Sequence, residues 1–241
     1  MRTSNPVLGE NVFTSTAAFG SAEVMTVQGT VSKTLLLLLV AVAAAALAWS
    51  NPSASMGFSM IAAIVGFVLA LIISFKPVTA PYLAPVYAFA EGMLLGAISA
   101  VFNVRYPGIA VNAALATFGV LFVMLTLYRS GIIKVDNRFK MVMMCAVGGI
   151  MVVYVVNMIM GFFGSGMGFI TSSGPMGIIF SLVVCGVAAF SLMMDFDFIE
   201  QGSRQGAPKY MEWYGAFALM VTLVWLYLEI LRLLSKLSDR K

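Results

Sequence analysis

The chain has 241 residues, of which 61% are hydrophobic and only 10% are charged. Soluble globular proteins carry about 25% charged residues, so the composition excludes a water-soluble protein and indicates an integral membrane protein. Seven bilayer crossings of roughly 20 residues each would leave too little chain for a sizeable extramembrane domain. We therefore expect the lipid bilayer to be the main partner, and no nucleic acid.

The chain has no histidine and two widely separated cysteines, Cys145 and Cys185. The usual ligands of zinc, haem and iron–sulfur centres are therefore missing. The sequence also has no phosphate-binding glycine loop, nucleophile elbow or metalloprotease helix motif. We expect neither an enzyme nor a resident cofactor.

Residues 1–33 are mixed and polar, with turn-forming residues such as Asn5, Pro6 and Gly9, and they lack the apolar core of a signal peptide. We predict an amino-terminal arm over 1–33, a transmembrane domain over 34–236 and a basic tail over 237–241.

The transmembrane domain contains seven apolar blocks, each long enough to span a bilayer as a helix. Turn signals such as Asn51-Pro52-Ser53 and Tyr106-Pro107-Gly108 separate them. The blocks are apolar all round, whereas membrane strands alternate polar and apolar residues, so we predict an all-α, seven-helix bundle. The blocks cover about 34–50, 54–75, 79–102, 109–128, 141–163, 175–195 and 213–234.

The positions of the lysine and arginine residues predict how the chain is oriented in the membrane. The arm and the loops after blocks two, four and six carry nine of the 14 basic residues, which favours a cytoplasmic amino terminus. The basic residues near the end of the chain favour the opposite orientation, so the side of the membrane on which the carboxyl terminus lies stays open. The nine residues are Arg2, Lys33, Lys76, Arg129, Lys134, Arg138, Lys140, Arg204 and Lys209.

The third block has a ladder of small residues at every fourth position, which lets another helix backbone approach closely. The ladder consists of Ala88, Gly92, Gly96 and Ala100.

Few charges fall inside the blocks, and the candidates for function are acidic: Glu91, Asp195, Asp197 and Glu229. A charge at mid-depth costs about 2.5–3.5 kcal/mol on insertion scales, so each requires an explanation. Glu91 is the hardest to explain structurally, because it lies mid-block with no base nearby in the sequence, and we favour a functional role for it. Acids inside and bases at the rims favour cations over anions.

Asp195 and Asp197 end the sixth block and are two residues apart, so a continuous helix turns them about 200° from each other. Only one can then face the bundle, and we expect it to be Asp195. Arg204 and Lys209 in the following loop are candidate charge partners. The structural alternative is that both aspartates simply end the helix in water.

Glu229 lies three residues before Arg232, close enough for an ion pair on one helix face. The sequence supports this structural interpretation of Glu229 and a functional one about equally. A polar stripe at helical spacing nevertheless predicts that one face of the seventh block turns inward. The stripe consists of Thr222, Trp225, Glu229, Arg232 and Lys236.

Residues 195–234, reading DFDFIEQGSRQGAPKYMEWYGAFALMVTLVWLYLEILRLL, resemble the transmembrane Bax inhibitor motif family, as do Ala90-Glu91-Gly92 and the seven-span layout. The chain looks most like a bacterial subgroup with a longer amino-terminal arm. The resemblance implies a bundle with the last helix at its centre and a pH-sensitive calcium leak controlled by two aspartates. The first matches Asp195 or Asp197, with Asp195 the possible calcium contact, but Thr222 stands where the second aspartate would be.

Two functions follow as expectations from this resemblance. The first is a pH-sensitive cation leak, with calcium as the expected ion, in the bacterial inner membrane. Glu229 or Glu91 could then supply the carboxylate that Thr222 does not. The alternative is a non-conducting modulator that binds a membrane-anchored AAA protease through its cytoplasmic arm.

Overall fold

The computed structural model describes residues 24–50, 52–164 and 167–240. The described chain is helical, with a 3-10 turn at Pro77–Thr79 and an isolated bridge between Val24 and Pro208. The helices are α1 (Val27–Ser50), α2 (Pro52–Phe75), α3 (Ala80–Arg105), α4 (Ile109–Arg129), α5 (Asn137–Phe162), α6 (Gly168–Thr171), α7 (Pro175–Arg204) and α8 (Met211–Ser238).

Seven of these helices, all except the four-residue α6, are long and apolar enough to cross a membrane. The predicted all-α, seven-helix membrane fold is therefore confirmed. Successive long helices run in opposite directions, so the starts of α1 and α8 lie at one end of the bundle, here called the arm end. The other end, where α8 finishes, is called the far end.

The first helix begins at Val27, seven residues before the start that hydropathy predicts, so residues 27–33 of the predicted arm are helical. The apolar block predicted from hydropathy begins only after Lys33, because burying a lysine in lipid costs free energy. In the folded chain the Lys33 amino group forms an ion pair with Glu212, which allows the helix to include it. Residues 1–23 of the predicted arm lie outside the described residues.

Helix α8 is at the centre of the bundle, as the resemblance implies, and packs against α1, α3, α4 and α7. Fully or nearly buried apolar residues such as Met220, Leu226 and Leu231 form its contacts. Helix α5 is peripheral by contrast, with Met141 and Met151 each more than 60% exposed and available to lipid.

The predicted small-residue ladder on α3 is confirmed as a packing surface. A Cβ atom added at Gly92 would lie 2.3 Å from the Ala41 carbonyl oxygen, and one at Gly96 would lie 2.4 Å from that of Ala45. Only glycine permits this approach of α1 to α3. The paired glycines Gly148 and Gly149 on α5 have no neighbour within 4 Å of an added Cβ, so they permit no comparable contact.

Candidate functional site

The Asp195 carboxyl lies between α7 and α8. Its Oδ2 is buried and has no hydrogen-bond partner, and the side chain of Thr222 on α8 lies close to this carboxyl while its hydroxyl donates to the Ala218 carbonyl oxygen at 3.3 Å. The surrounding side chains are apolar, including those of Leu192 and Leu219. Buried polar atoms are nearly always satisfied in proteins, so an unpartnered carboxyl oxygen inside a membrane bundle indicates a functional group.

Three of the predicted site residues lie at a similar depth. Asp195 is nine residues before the end of α7, whereas Glu91 and Thr222 are each 11 residues after the start of α3 and α8. At 1.5 Å per residue these positions are about 14–17 Å from the arm end. The headgroup region takes about 6 Å of this depth, so the three residues lie well inside the hydrocarbon, roughly a third of the way across a 30 Å core.

Asp197 faces away from Asp195, as the helical spacing predicts, because α7 continues without a break to Arg204. The Asp197 carboxylate accepts a hydrogen bond from the Gln201 amide at 2.6 Å and lies 2.7 Å from the Lys140 amino group. Its side chain is 15% exposed. The two aspartates therefore form no shared carboxyl pair.

The predicted charge partners in the loop after α7 bind other acids. Arg204 lies 2.5 Å from Glu200 on its own helix, and Lys209 lies 3.5 Å from Glu212. This corrects the expectation that they accompany the aspartates. Arg204 has a nearer acid one turn before it, while the base at Asp197 is Lys140, whose position at the start of α5 depends on the tertiary fold.

Glu91 lies at the interface of α2 and α3. Its carboxyl lies close to the side chain of Tyr87, one turn earlier on α3, and a Cβ added at Gly66 would lie 3.1 Å from its Oε1. Among the described residues it has no ion pair. Glu91 and Asp195 thus occupy different helix interfaces at a similar depth.

Glu229 forms the ion pair that its spacing predicts. Its Oε1 lies 2.8 Å from Arg232 Nη1 and accepts a second hydrogen bond, also of 2.8 Å, from the Tyr154 hydroxyl of α5. Arg232 also donates to that hydroxyl and stacks over the Tyr154 ring at 5.3 Å. Glu229 Oε2, however, is buried without a partner.

The predicted inward stripe on α8 is confirmed at Thr222, Glu229 and Lys236, which are 9%, 2% and 4% exposed. The Lys236 amino group donates to the Ile170 and Gly177 carbonyl oxygens and to Ser181 Oγ, at 2.7–3.0 Å. The depth of its burial was not predictable, because a lysine near a helix end usually extends to the headgroups.

Sequence reasoning missed Glu212, which is fully buried at the start of α8. It accepts hydrogen bonds from the backbone and hydroxyl of Thr26 at 2.9 and 2.8 Å, and it forms an ion pair with Lys33. Its position in the first turn of a helix made it look like an ordinary interfacial residue.

Two cavities among the described residues lie near these side chains. One, of about 480 Å³, is almost wholly apolar and lies between α1, α3, α4 and α8. The other, the far-end cavity, has a volume of about 290 Å³ and is lined by Tyr154, Asn157, Ser173, Arg232, Lys236 and Asp239, among others. Within the described ranges no three acidic or cysteine side chains come together as a metal site.

Comparison with protein families agrees with this architecture. The model of the family described as Bax inhibitor 1 like matches residues 5–239, nearly the whole chain. Searches of curated proteins and of solved structures gave no significant match. Because the family match includes all seven long helices and every acidic residue discussed above, the chain belongs to the Bax inhibitor 1 like family of multi-pass membrane proteins.

Proposed function

We propose that this protein is a cation leak channel, with Ca²⁺ as the expected ion, in the inner membrane of a bacterium. The observation that carries the proposal is the buried, unpartnered Oδ2 of Asp195 within a membrane-spanning helix. A carboxylate in that position is costly unless a proton, water or a cation reaches it.

The residues around Asp195 suit a passing cation better than a resident one. Ca²⁺ takes six to eight oxygen ligands, and the carboxyl of Asp195 with the hydroxyl of Thr222 offers only part of such a shell. An ion at this point would keep most of its water. Conduction favours this arrangement, because a site that binds too tightly does not release its ion.

Thr222 changes the expected control of the leak. Where the family pattern has two aspartates sharing a proton, this chain has one carboxyl and one hydroxyl, so within this pair pH acts on Asp195 alone. Thr222→Asp would restore a carboxyl pair. We expect it to change the shape of the flux–pH curve, because coupled carboxyls lose their protons in two steps.

The test is Ca²⁺ flux into liposomes that contain only this protein, measured over a pH series. Asp195→Asn should remove the pH dependence and reduce the flux about tenfold, because it replaces the ionisable carboxyl between α7 and α8 with a neutral amide. Asp197→Asn is the matched control on the opposite helix face and should shift the flux little. Absence of flux through the parent protein would refute the channel.

Glu91 gives an independent test of where the pathway runs. Glu91→Gln keeps the side-chain volume beside Gly66 and removes only the charge, so the bundle should fold normally. We expect altered flux if ions pass near α2 and α3. Parental flux in this variant would make Glu91 a structural residue.

The orientation is part of the proposal, with the amino terminus and the basic loop before α5 in the cytoplasm. In a Cys145→Ser background, Asn137→Cys should resist a membrane-impermeant thiol reagent in intact cells. Ser172→Cys, at the other end of the bundle, should react. The opposite labelling pattern would reverse the orientation.

The second candidate is a modulator of a membrane-anchored AAA protease. It is supported by the anchoring of the predicted arm at Met25, whose backbone N–H donates to the Ala207 carbonyl oxygen at 2.7 Å. This bond fixes Met25 beside the α7–α8 loop. Flux-inactive protein that retains protease binding, lost on deletion of residues 1–20, would favour this candidate.

A further inference from the structure

We propose that the far-end cavity binds a phosphate group. The inference is independent of conduction and starts from Lys236, whose side chain is almost fully buried although its three hydrogen bonds all go to neutral oxygens. Removing an ammonium group from water costs several kcal/mol unless an acid is paired with it, and the nearby Glu229 is already paired with Arg232.

The charges around the cavity do not balance. Arg105, Arg232 and Lys236 are basic, while Glu229 and Asp239 are acidic, which leaves one positive charge unmatched. Glu229 is paired with Arg232, and Asp239 with Arg105. The remaining charge is that of Lys236, and a bound anion would neutralise it.

The cavity also presents unused hydrogen-bond donors. Arg232 uses only Nη1, for Tyr154 and Glu229, so its Nε and Nη2 have no partner among the described residues. Asn157 accepts a hydrogen bond from the Met167 backbone through Oδ1, which leaves its amide nitrogen as a donor. A guanidinium fork beside an amide donor and an ammonium group suits a tetrahedral oxyanion.

The position of the cavity selects phosphate among the oxyanions. Helix α8 has 28 residues and is therefore about 42 Å long, close to the thickness of a bilayer with its headgroups. Its last two turns, which carry Arg232 and Lys236, consequently lie at headgroup level together with Asp239, which directly follows the helix. Lipid phosphates are concentrated there, and inorganic phosphate reaches the same cavity from the water.

The Asp239 carboxylate is not the anion that neutralises Lys236. Its carboxylate accepts hydrogen bonds from Tyr106 and from Ser173, the latter at 2.8 Å, and it lies 3.1 Å from Arg105. These partners hold it against the turn after α3 and the segment before α7. It therefore joins the elements at the mouth of the cavity and leaves Lys236 unmatched.

The test uses the full-length protein in a phosphate-free detergent, with three probes: inorganic phosphate, a short-chain phosphatidylglycerol, and diacylglycerol with the same chains. Binding is measured by calorimetry and by the rise in Tm with probe concentration. We expect saturable binding of a probe that contains phosphate and none of diacylglycerol. Binding of phosphatidylglycerol alone would identify a lipid headgroup, and binding of inorganic phosphate would identify a free ion.

Lys236→Met keeps the apolar stem and should weaken phosphate binding at least tenfold, whereas Lys76→Met, at an exposed lysine of the arm end, should leave it unchanged. Ser235→Asp adds a negative charge to the cavity wall without removing a basic group, and it serves if Lys236→Met does not fold. Parental affinity in the folded cavity variants, or equal binding of diacylglycerol, would overturn the proposal.

Discussion

The two ends of α8 both contain a buried charge, but the charges are accommodated in opposite ways. At the arm end, Glu212 is matched by the Lys33 ammonium and by two donors of Thr26, and α1 packs directly against its carboxylate. At the far end, Lys236 is matched by neutral oxygens and lies beside a cavity. The comparison indicates that the arm end fastens helices together, whereas the far end retains a charge that packing does not require.

Stability should be most sensitive to the loss of Glu212. Glu212→Ala leaves Lys33 and the Thr26 donors without their acceptor, and breaking a buried ion pair typically costs about 3–5 kcal/mol. We expect about 3 kcal/mol in the free energy of unfolding, because Lys33 is 19% exposed and regains some water. The measurement is reversible unfolding in mixed micelles.

Glu200→Ala is the matched control for Glu212→Ala. Glu200 also pairs with a basic residue, Arg204, and accepts a hydrogen bond from the Tyr128 hydroxyl, but the ion pair is exposed. Exposed pairs contribute about 1 kcal/mol or less. Equal losses in the two variants would mean that burial of Glu212 does not stabilise the arm end.

A smaller effect is expected from glycines at the two ends. A Cβ added at Gly29 would lie 2.2 Å from Glu212 Oε1, whereas one at Gly168, beside the far end, meets nothing within 4 Å. Gly29→Ala should therefore cost about 1–3 kcal/mol, the usual cost of overpacking. Gly168→Ala should change the free energy of unfolding by less than about 1 kcal/mol. A ranking in the reverse order would contradict tight packing at Glu212.

Lys236→Met should affect stability less again. Replacing a buried charge with an apolar side chain of similar length removes a desolvation cost, which offsets the loss of three hydrogen bonds. We expect a change of about 1 kcal/mol or less in phosphate-free detergent, measured as for Glu212→Ala. A loss of unfolding free energy as large as that of Glu212→Ala would mean that the packing of the far end depends on Lys236.

The seven-helix fold could be predicted from the sequence because the cost of polar groups in lipid leaves a clear hydropathy signal. The close approach of another helix to α3 could also be predicted, from Gly92 and Gly96. The opposite facing of Asp195 and Asp197 followed from helical geometry alone, since two residues that are two apart on a continuous helix are turned by about 200°. These features depend on local spacing, which a sequence contains.

Charge pairing could not be predicted in the same way. Lys140 at Asp197 and Lys33 at Glu212 are separated from their partners by 57 and 179 residues, and nothing local links them. Arg204, the nearer candidate in the sequence, binds Glu200 one turn before it. Glu212 was missed because a fully buried carboxylate in the first turn of a helix has the same local sequence as an exposed one.

The smallest expected effect concerns the mouth of the far-end cavity. Hydrogen bonds from Tyr106 and Ser173, with Arg105 nearby, lower the pKa of Asp239 below its ordinary value. A lowered folded-state pKa stabilises the fold above the unfolded value of about 3.9, and this contribution disappears as the pH falls through the folded-state pKa. Asp239→Asn should therefore lower Tm slightly at pH 7, and the difference from the parent should vanish in strong acid. A difference that persisted unchanged in strong acid would show that the carboxylate charge of Asp239 does not hold the far end together.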